Sequence, residues 1–215
     1  MKIFKNTVSD SLWEILTKLM ELEVIQPFRL VGGTCLSLLL GHRMSIDIDL
    51  FTDAEYDSID FRKIENELKM TFNYVESGYG GNKGMGKSYY IGKSKDDVVK
   101  VDLFYTDKFI RPIQLYQNIR FSQIEEIAAM KLEVVGNAGR KKDFWDLHEL
   151  LEHFSINQML RLYEERYPYS FSKTEILDKL TDFNEAENDF NPICLKDKYW
   201  ELIKLDIEHE VANNR

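Results

Sequence analysis

The chain has little of what would tie it to a membrane, a secretory route or a nonspecific nucleic-acid surface. Its 215 residues contain two cysteines, Cys35 and Cys194, far apart and without a metal-ligand or redox partner near either. That spacing excludes a disulfide framework and the common zinc patterns, and it fits a reducing cytoplasm. The N-terminus lacks a signal-peptide pattern. The longest apolar stretch, Leu30 to Gly41, is too short and too broken by glycine to span a bilayer. Neither an internal repeat nor a low-complexity tract is present. Positive charge is in deficit: 28 Lys and Arg against 37 Asp and Glu give a formal net charge of −9. Broad binding to nucleic acid depends on neutralising phosphates, so this balance argues against it while leaving room for local basic contacts. With 44% hydrophobic residues the chain can bury one good core or two modest ones.

What is present is more telling. Phe28 to Val31 reads as a short strand, Gly32-Gly33 as a tight turn, and Thr34 as the N-cap of the apolar helix that follows. Exposed amides at such a helix start favour a phosphate. Twelve residues later, Ile46-Asp47-Ile48-Asp49-Leu50-Phe51 alternates with period two. Ile46, Ile48 and Leu50 should enter the core while Asp47 and Asp49 leave on the other face. Adjacent carboxylates repel, and a hard cation is the simplest way to make their proximity favourable. A third acid, Asp102, lies in the strand-like run Val99 to Phe104 and shares a face with Lys100 and Phe104. Two Asp on one strand and a third on its neighbour match the two-metal layout of phosphoryl and nucleotidyl transfer, in which ions about 3.5–4 Å apart stabilise the attacking and leaving oxygens. Asp47 and Asp49 would hold both ions, and Asp102 would complete the ion beside the attacking hydroxyl and help remove its proton. A lone Asp-x-Asp is otherwise a solvated strand end.

From Gly32-Gly33-Thr34, through Leu38 to Gly41, to His42-Arg43-Met44-Ser45-Ile46-Asp47-Ile48-Asp49-Leu50-Phe51, the chain resembles the AbiEii/AbiGii toxin type of nucleotidyltransferase within the polymerase-beta-like superfamily. Lys131-Leu132 and Arg140-Lys141-Lys142-Asp143-Phe144-Trp145-Asp146-Leu147 are similar to that family's second block. The blocks span residues 30 to 150. One departure is Thr34, where Ser commonly follows the glycine of the wider superfamily; either hydroxyl can cap the turn. The resemblance implies transfer of a nucleoside monophosphate from an NTP, dependence on Mg2+ (two ions, with Mn2+ as the alternative), and a nucleotide held by Gly32, Gly33, Thr34, Arg43, Ser45, Lys131, Asp143 and Asp146. It also implies a biological setting: a toxin of a toxin–antitoxin or phage-defence pair, with a tRNA end as acceptor and a separately encoded antitoxin.

The second block can be read without the family. Ser122-Gln123-Ile124-Glu125 has the form of a capping box that opens a helix. Its apolar stripe runs Ile124, Ile127, Ala128, Val134 and Val135, with Lys131 inside the stripe. Such a lysine either contacts nucleotide phosphates as a point charge, or snorkels to solvent, or pairs with a buried acid. After a break at Gly136 to Gly139, Phe144, Leu147, Leu151 and Phe154 stripe the next helix. Asp143 and Asp146, three residues apart, either orient Lys131, touch the nucleotide, or serve the helix terminus.

A decoy separates the blocks. Gly81-Asn82-Lys83-Gly84-Met85-Gly86-Lys87-Ser88 satisfies the P-loop pattern. A true P-loop continues into a helix, whereas Ser88-Tyr89-Tyr90-Ile91-Gly92 predicts a strand. The segment instead joins antiparallel strands near 72–79 and 87–93, and Lys83, Lys87, Lys93 and Lys95 make it a basic hairpin able to steer phosphate. Lys131 with Arg140, Lys141 and Lys142 forms a second basic patch.

Helices are expected near 8–25 and 57–70 around this sheet, then near 122–137, 141–154, 156–166, 172–181 and 196–211, with an exposed loop at 182–191. Tyr163, Tyr167, Tyr169 and Phe171 read as core and interface packing. The expected fold is α+β: a mixed sheet with flanking helices in residues 1–115, then a helical domain in 116–215. Rival readings are a nucleotidyltransferase acting on a small molecule or protein, and a nucleotide-binding scaffold without catalysis.

Overall fold

The computed structural model describes residues 1–81 and 84–214. After a 3-10 turn at Lys5–Thr7, α1 (Asp10–Glu21) is capped by Ser9, whose hydroxyl accepts from the Leu12 N–H at 3.1 Å. Leu12, Ile15, Leu16 and Leu19 bury one face at helical spacing. Burying each such side chain contributes about 1.5–3 kcal/mol. The helix is shorter than the 8–25 span expected, because Leu22 takes an extended conformation and a separate 3-10 turn occupies Glu23–Ile25. Then follow β1 (Arg29–Val31), α2 (Gly32–Leu40), β2 (Asp47–Thr52), α3 (Phe61–Thr71), β3 (Tyr74–Gly80), β4 (Gly86–Ser94) and β5 (Asp97–Tyr105). Two short strands that the sequence reading missed, β6 (Gln114–Tyr116) and β7 (Ile119–Phe121), complete the sheet. Helices take over with α4 (Ile124–Gly136), α5 (Lys141–Leu150), α6 (Ile156–Arg166), α7 (Lys173–Leu180), the single turn α8 (Asn184–Glu187) inside the expected loop, and α9 (Trp200–Ala212).

The sheet has the order β3-β4-β5-β2-β1-β7-β6 and is mixed: β2 runs parallel to β5 and β1 parallel to β7, while the other neighbours are antiparallel. Since β7 lies beyond residue 115, the sheet runs past the proposed boundary between 1–115 and 116–215. The buried side chains of sheet and helices form one contiguous cluster. Ile48 and Leu50 of β2, Tyr89 and Ile91 of β4, and Val101 and Leu103 of β5 are wholly buried on one face, where α1 meets these strands. The alternation turns the odd-numbered residues of β2 to the opposite face.

Ile46 is a correction. It was expected in the core and is 75% exposed, one residue before β2 begins. The chain just upstream is occupied elsewhere: Met44 N–H donates to the Ile193 carbonyl at 2.8 Å and Leu195 N–H to the His42 carbonyl at 2.9 Å. The expected capping box also fails. Gln123 is the N-cap residue of α4 and makes no side-chain cap, while Ser122 is fully buried and its N–H serves the Leu30 carbonyl at 2.9 Å. In α4 the stripe shifts to include Ala129 and Leu132, and Val134 is exposed. Tyr163 is packed as expected, but Tyr169 is fully exposed. The segment after the P-loop decoy is a strand, β4, as its residues predicted; Asn82 and Lys83 fall outside the described residues.

A buried ion pair ties the sheet to the helices. Glu126 of α4 accepts the Ile110 and Arg111 N–H groups, both at 2.9 Å, and pairs with Arg166 of α6, which also donates to the Lys108 carbonyl at 3.0 Å and Thr106 Oγ1 at 2.8 Å. The connection leaving β5 is thus held by one acid and one base from two helices. Removing one partner of such a pair strands the other, at a cost of about 3–5 kcal/mol. Arg166→Met should lose about that much stability in urea unfolding, and the double variant Glu126→Leu/Arg166→Met should lose less than the single one.

Candidate active site

The site is assembled where β1 ends. Gly32 has φ +69°, in the left-handed region that favours glycine, and a Cβ there would collide with the Asp49 carboxylate. A Cβ on Gly33 would collide with the Arg43 guanidinium. The two glycines therefore let the start of α2 lie directly against an acid and a base. Thr34 is not the cap: Val31 occupies that position without a side-chain bond, and Thr34 lies inside the first turn. Its buried hydroxyl donates to the Asp47 carbonyl and accepts from Ser45 Oγ at 2.8 Å, while Ser45 N–H donates to the Thr7 carbonyl at 2.8 Å. Thr34 and Ser45 thereby fix the start of β2, which aims Asp47 and Asp49.

Register does the rest. Asp49 stands opposite Asp102 across the parallel β2–β5 pair, and Asp47 opposite Lys100, so all four share the face turned from the core. Burial pushes the Asp49 carboxyl up to about 6, and Asp102 and Asp47 push the same way against Lys131 and Lys142. Lys100 lies between the carboxylates, its Nζ 2.5 Å from Asp102 Oδ2. Burial opposes its charge, but the hydrogen bond and the charge of Asp102, with Asp47 and Asp49, hold it above the ordinary lysine value. Asp102 Oδ1 is buried without a hydrogen-bond partner. Among the described residues no group of three or more His, Cys, Asp or Glu side chains is placed to hold a metal ion, and the Lys100 ammonium is ion-paired with Asp102.

Beside the acids lies a second cluster around Asp146 of α5, which has no exposed side-chain surface. It receives Arg43 through Nε at 2.6 Å and Nη2 at 2.7 Å, His42 Nε2 at 2.7 Å and Lys131 Nζ at 2.6 Å. Burial works against its charge, yet Arg43, Lys131 and His42 hold the carboxyl well below the usual carboxylate range. Asp143 takes Lys131 Nζ at 2.6 Å on one oxygen and the Arg140 N–H at 3.0 Å on the other. Of the three readings of Lys131, pairing with buried acids is thus realised, and Asp143 and Asp146 orient it. Arg43, expected to reach a phosphate, is spent on Asp146. His42, to which the sequence assigned no role, belongs to the same cluster, and its Nδ1 lacks a partner.

These elements enclose a cleft of about 200 Å³ with Gly32, Gly33, Asp47, Asp49, Lys131 and Lys142 on its polar side and Phe51, Ile127, Met130 and Val134 on its apolar side. Each basic patch loses a member to burial, although Lys93 and Lys95 of the hairpin stay exposed and Lys83 lies outside the described residues. Lys87 is buried against Glu65, and Lys141 is buried with its Nζ 3.1 Å from the Glu187 carbonyl. Lys142 remains at the cleft, a position the sequence could not single out from its neighbours.

The profile of the family described as nucleotidyl transferase AbiEii toxin, type IV toxin–antitoxin system, matches residues 14–213. The chain belongs to this family. As an AbiEii-type chain it is a nucleotidyltransferase, and its family is one of toxin–antitoxin toxins. An uncharacterised protein of Aquifex aeolicus is 26% identical over 212 residues, covering 92% of this chain and 93% of its own length. A solved structure from H. pylori has a TM-score of 0.58 at 18% identity, covering 93% of this chain and 92% of its own. The nucleotidyltransferase toxin MenT4 of Mycobacterium tuberculosis has a TM-score of 0.56 at 14% identity, covering 94% and 83%. At these identities the solved structures establish a shared fold, the mixed sheet with flanking helices expected from the sequence. No helix among the described residues is long and apolar enough to cross a membrane.

The position of Asp49 has a measurable consequence in metal-free buffer. The unfolded chain ionises it near 3.8 and the folded chain near 6, so between those values the folded state holds the extra proton. That stabilisation is lost as pH rises through this window and is absent above it. Asp49→Asn, which cannot ionise, should be more stable than the parent at pH 8 by up to about 3 kcal/mol. Chemical denaturation should show the difference shrinking through pH 6 and vanishing near pH 4.

Proposed function

We propose that the cleft transfers a nucleoside monophosphate from an NTP to a hydroxyl of an acceptor, releasing pyrophosphate, and that the acceptor is the end of an RNA, with tRNA the class that the sequence resemblance implies. The observation that carries this reading is the register that sets Asp49 against Asp102 with Asp47 one step along, all beside the glycine turn. Three carboxylates so placed repel unless a cation joins them.

In donor chemistry, though not in their present spacing, the residues suit a divalent metal. Their donors are hard oxygens, Asp102 Oδ1 is buried and unpartnered, and the Lys100 ammonium stands in for positive charge among them. Asp47, Asp49 and Asp102 would hold Mg2+, as two ions or with Mn2+ in their place. Such an ion would neutralise charge on the reacting phosphate and acidify the acceptor hydroxyl.

The rest of the work falls to the chain. Backbone amides at Gly32 and Gly33 receive phosphate oxygens at the start of α2. Asp102, at the edge of the acidic group away from the glycine turn, faces the acceptor hydroxyl and takes its proton. Lys131 and Arg43, with Asp143, Asp146 and His42 behind them, keep the walls of the cleft in place, and Thr34 and Ser45 fix the start of β2. Because such phosphoryl chemistry needs positioning and charge more than covalent help, a rigid cleft of this kind suffices. The setting that accompanies the reading is a toxin of a defence or toxin–antitoxin pair in the cytoplasm, opposed by a separately encoded antitoxin.

Incubation with each α-labelled triphosphate, Mg2+ and separate pools of tRNA, protein and small molecules should place label in the tRNA pool. The double variant Asp47→Asn/Asp49→Asn should lower labelling at least about 100-fold, the scale of a lost charge-stabilising group. Label confined to another pool would replace the acceptor. Equal labelling by the double variant would remove the acidic group from the chemistry.

A further inference from the structure

We infer that Lys142, rather than Lys131 or Arg43, is the side chain that contacts the phosphates of the bound nucleotide; this rests on the nucleotidyl-transfer reading above. Four charged side chains make up the wall beside the glycine turn, and they cancel. Lys131 and Arg43 contribute two positive charges, Asp143 and Asp146 two negative ones, and every one of the four is at least nine-tenths buried. Lys131 has an acid 2.6 Å away on each side, and Arg43 places two nitrogens on Asp146 and a third on the Met44 carbonyl at 3.0 Å. These partners hold two of the three Lys131 donors and three of the five Arg43 donors, so neither base can move to follow a phosphate without leaving a buried carboxylate unpaired, which is costly.

The neighbours of Lys142 are also committed. Lys141 is turned away onto the Glu187 carbonyl and the Trp200 ring, and Arg140 lies 3.4 Å from Asp189. Lys142 differs from all of them. It is half-buried, and among the described residues it makes no hydrogen bond or ion pair. It borders the acidic cleft, and it also borders the adjoining groove that shares Arg43, Ser45 and Asp47 with that cleft. Its charge already acts on Asp49, favouring the ionised form. It also sits in the first turn of α5, where the helix dipole disfavours a cation; an anion bound at its ammonium relieves that conflict. A lysine meets phosphate as a mobile point charge, and its flexible stem lets it follow the phosphates as pyrophosphate leaves.

The test is titration calorimetry of the full chain with Mg2+ and α,β-methylene analogues of the four nucleoside triphosphates, alongside Lys142→Ala and Lys142→Arg. Lys142→Ala should weaken binding of the preferred analogue about 10- to 100-fold, the range of one charge-assisted hydrogen bond. Lys142→Arg should stay within a few-fold of the parent, and both variants should keep a Tm within a few degrees of the parent, because no hydrogen bond or ion pair is lost. Parental affinity in Lys142→Ala overturns the inference and leaves nucleotidyl transfer standing. Equal weakening in both variants also overturns it, since a structural role would then explain the loss. If the parent binds none of the four analogues, the nucleotidyl-transfer reading falls and this inference with it.

Discussion

Two partly buried carboxylates side by side on parallel strands govern the rest of this molecule. Asp49 and Asp102 are in register, and burial and mutual repulsion push the Asp49 carboxyl up to about 6. A fold tolerates this only if positive charge is supplied nearby; Lys100 supplies it to Asp102, and Lys131 and Lys142 to Asp49. Other features follow from where Asp49 sits. Gly32 must lack a side chain because the Asp49 carboxylate occupies that space, and Thr34 and Ser45 are joined to the start of β2 so that the strand presents its acids at one height.

Asp146 is the second constraint. It gathers His42 and Arg43 from the segment after α2 and Lys131 from α4, so that one buried acid fastens three parts of the chain. Buried ion clusters seldom add net stability, because desolvation offsets most of the attraction, but they define one arrangement. Here that arrangement holds the glycine turn, α4 and α5 at fixed distances around the cleft. Rigid walls suit a reaction that depends on positioning.

The sequence made some of this legible and hid the rest for physical reasons. The alternation through Asp47 and Asp49 could be read because one face of β2 is wholly apolar, and the helices α4 and α5 because their stripes are long. The same alternation misplaced Ile46, since hydrogen bonds from residues 42–44 to 193–195 stop the strand from starting there. Strands of three residues, such as β6 and β7, carry too little periodicity to be seen. A hydroxyl after a double glycine looks like a cap, and only tertiary structure shows Thr34 turned to Ser45 and Asp47. Charge partners were the least legible element. Arg140, Lys141 and Lys142 are consecutive and alike in sequence, yet one reaches Asp189, one is buried under Trp200 and one borders the cleft.

The central proposal is that the acids at positions 47, 49 and 102 form one cation site, with Lys100 as its resident counter-charge. Thermal unfolding with and without millimolar Mg2+ tests it most directly, because an ion that binds only the folded chain stabilises it by mass action. The parent should gain several degrees in Tm, and Asp102→Asn should gain little or nothing. Equal gains in parent and variant, or none in either, would contradict it.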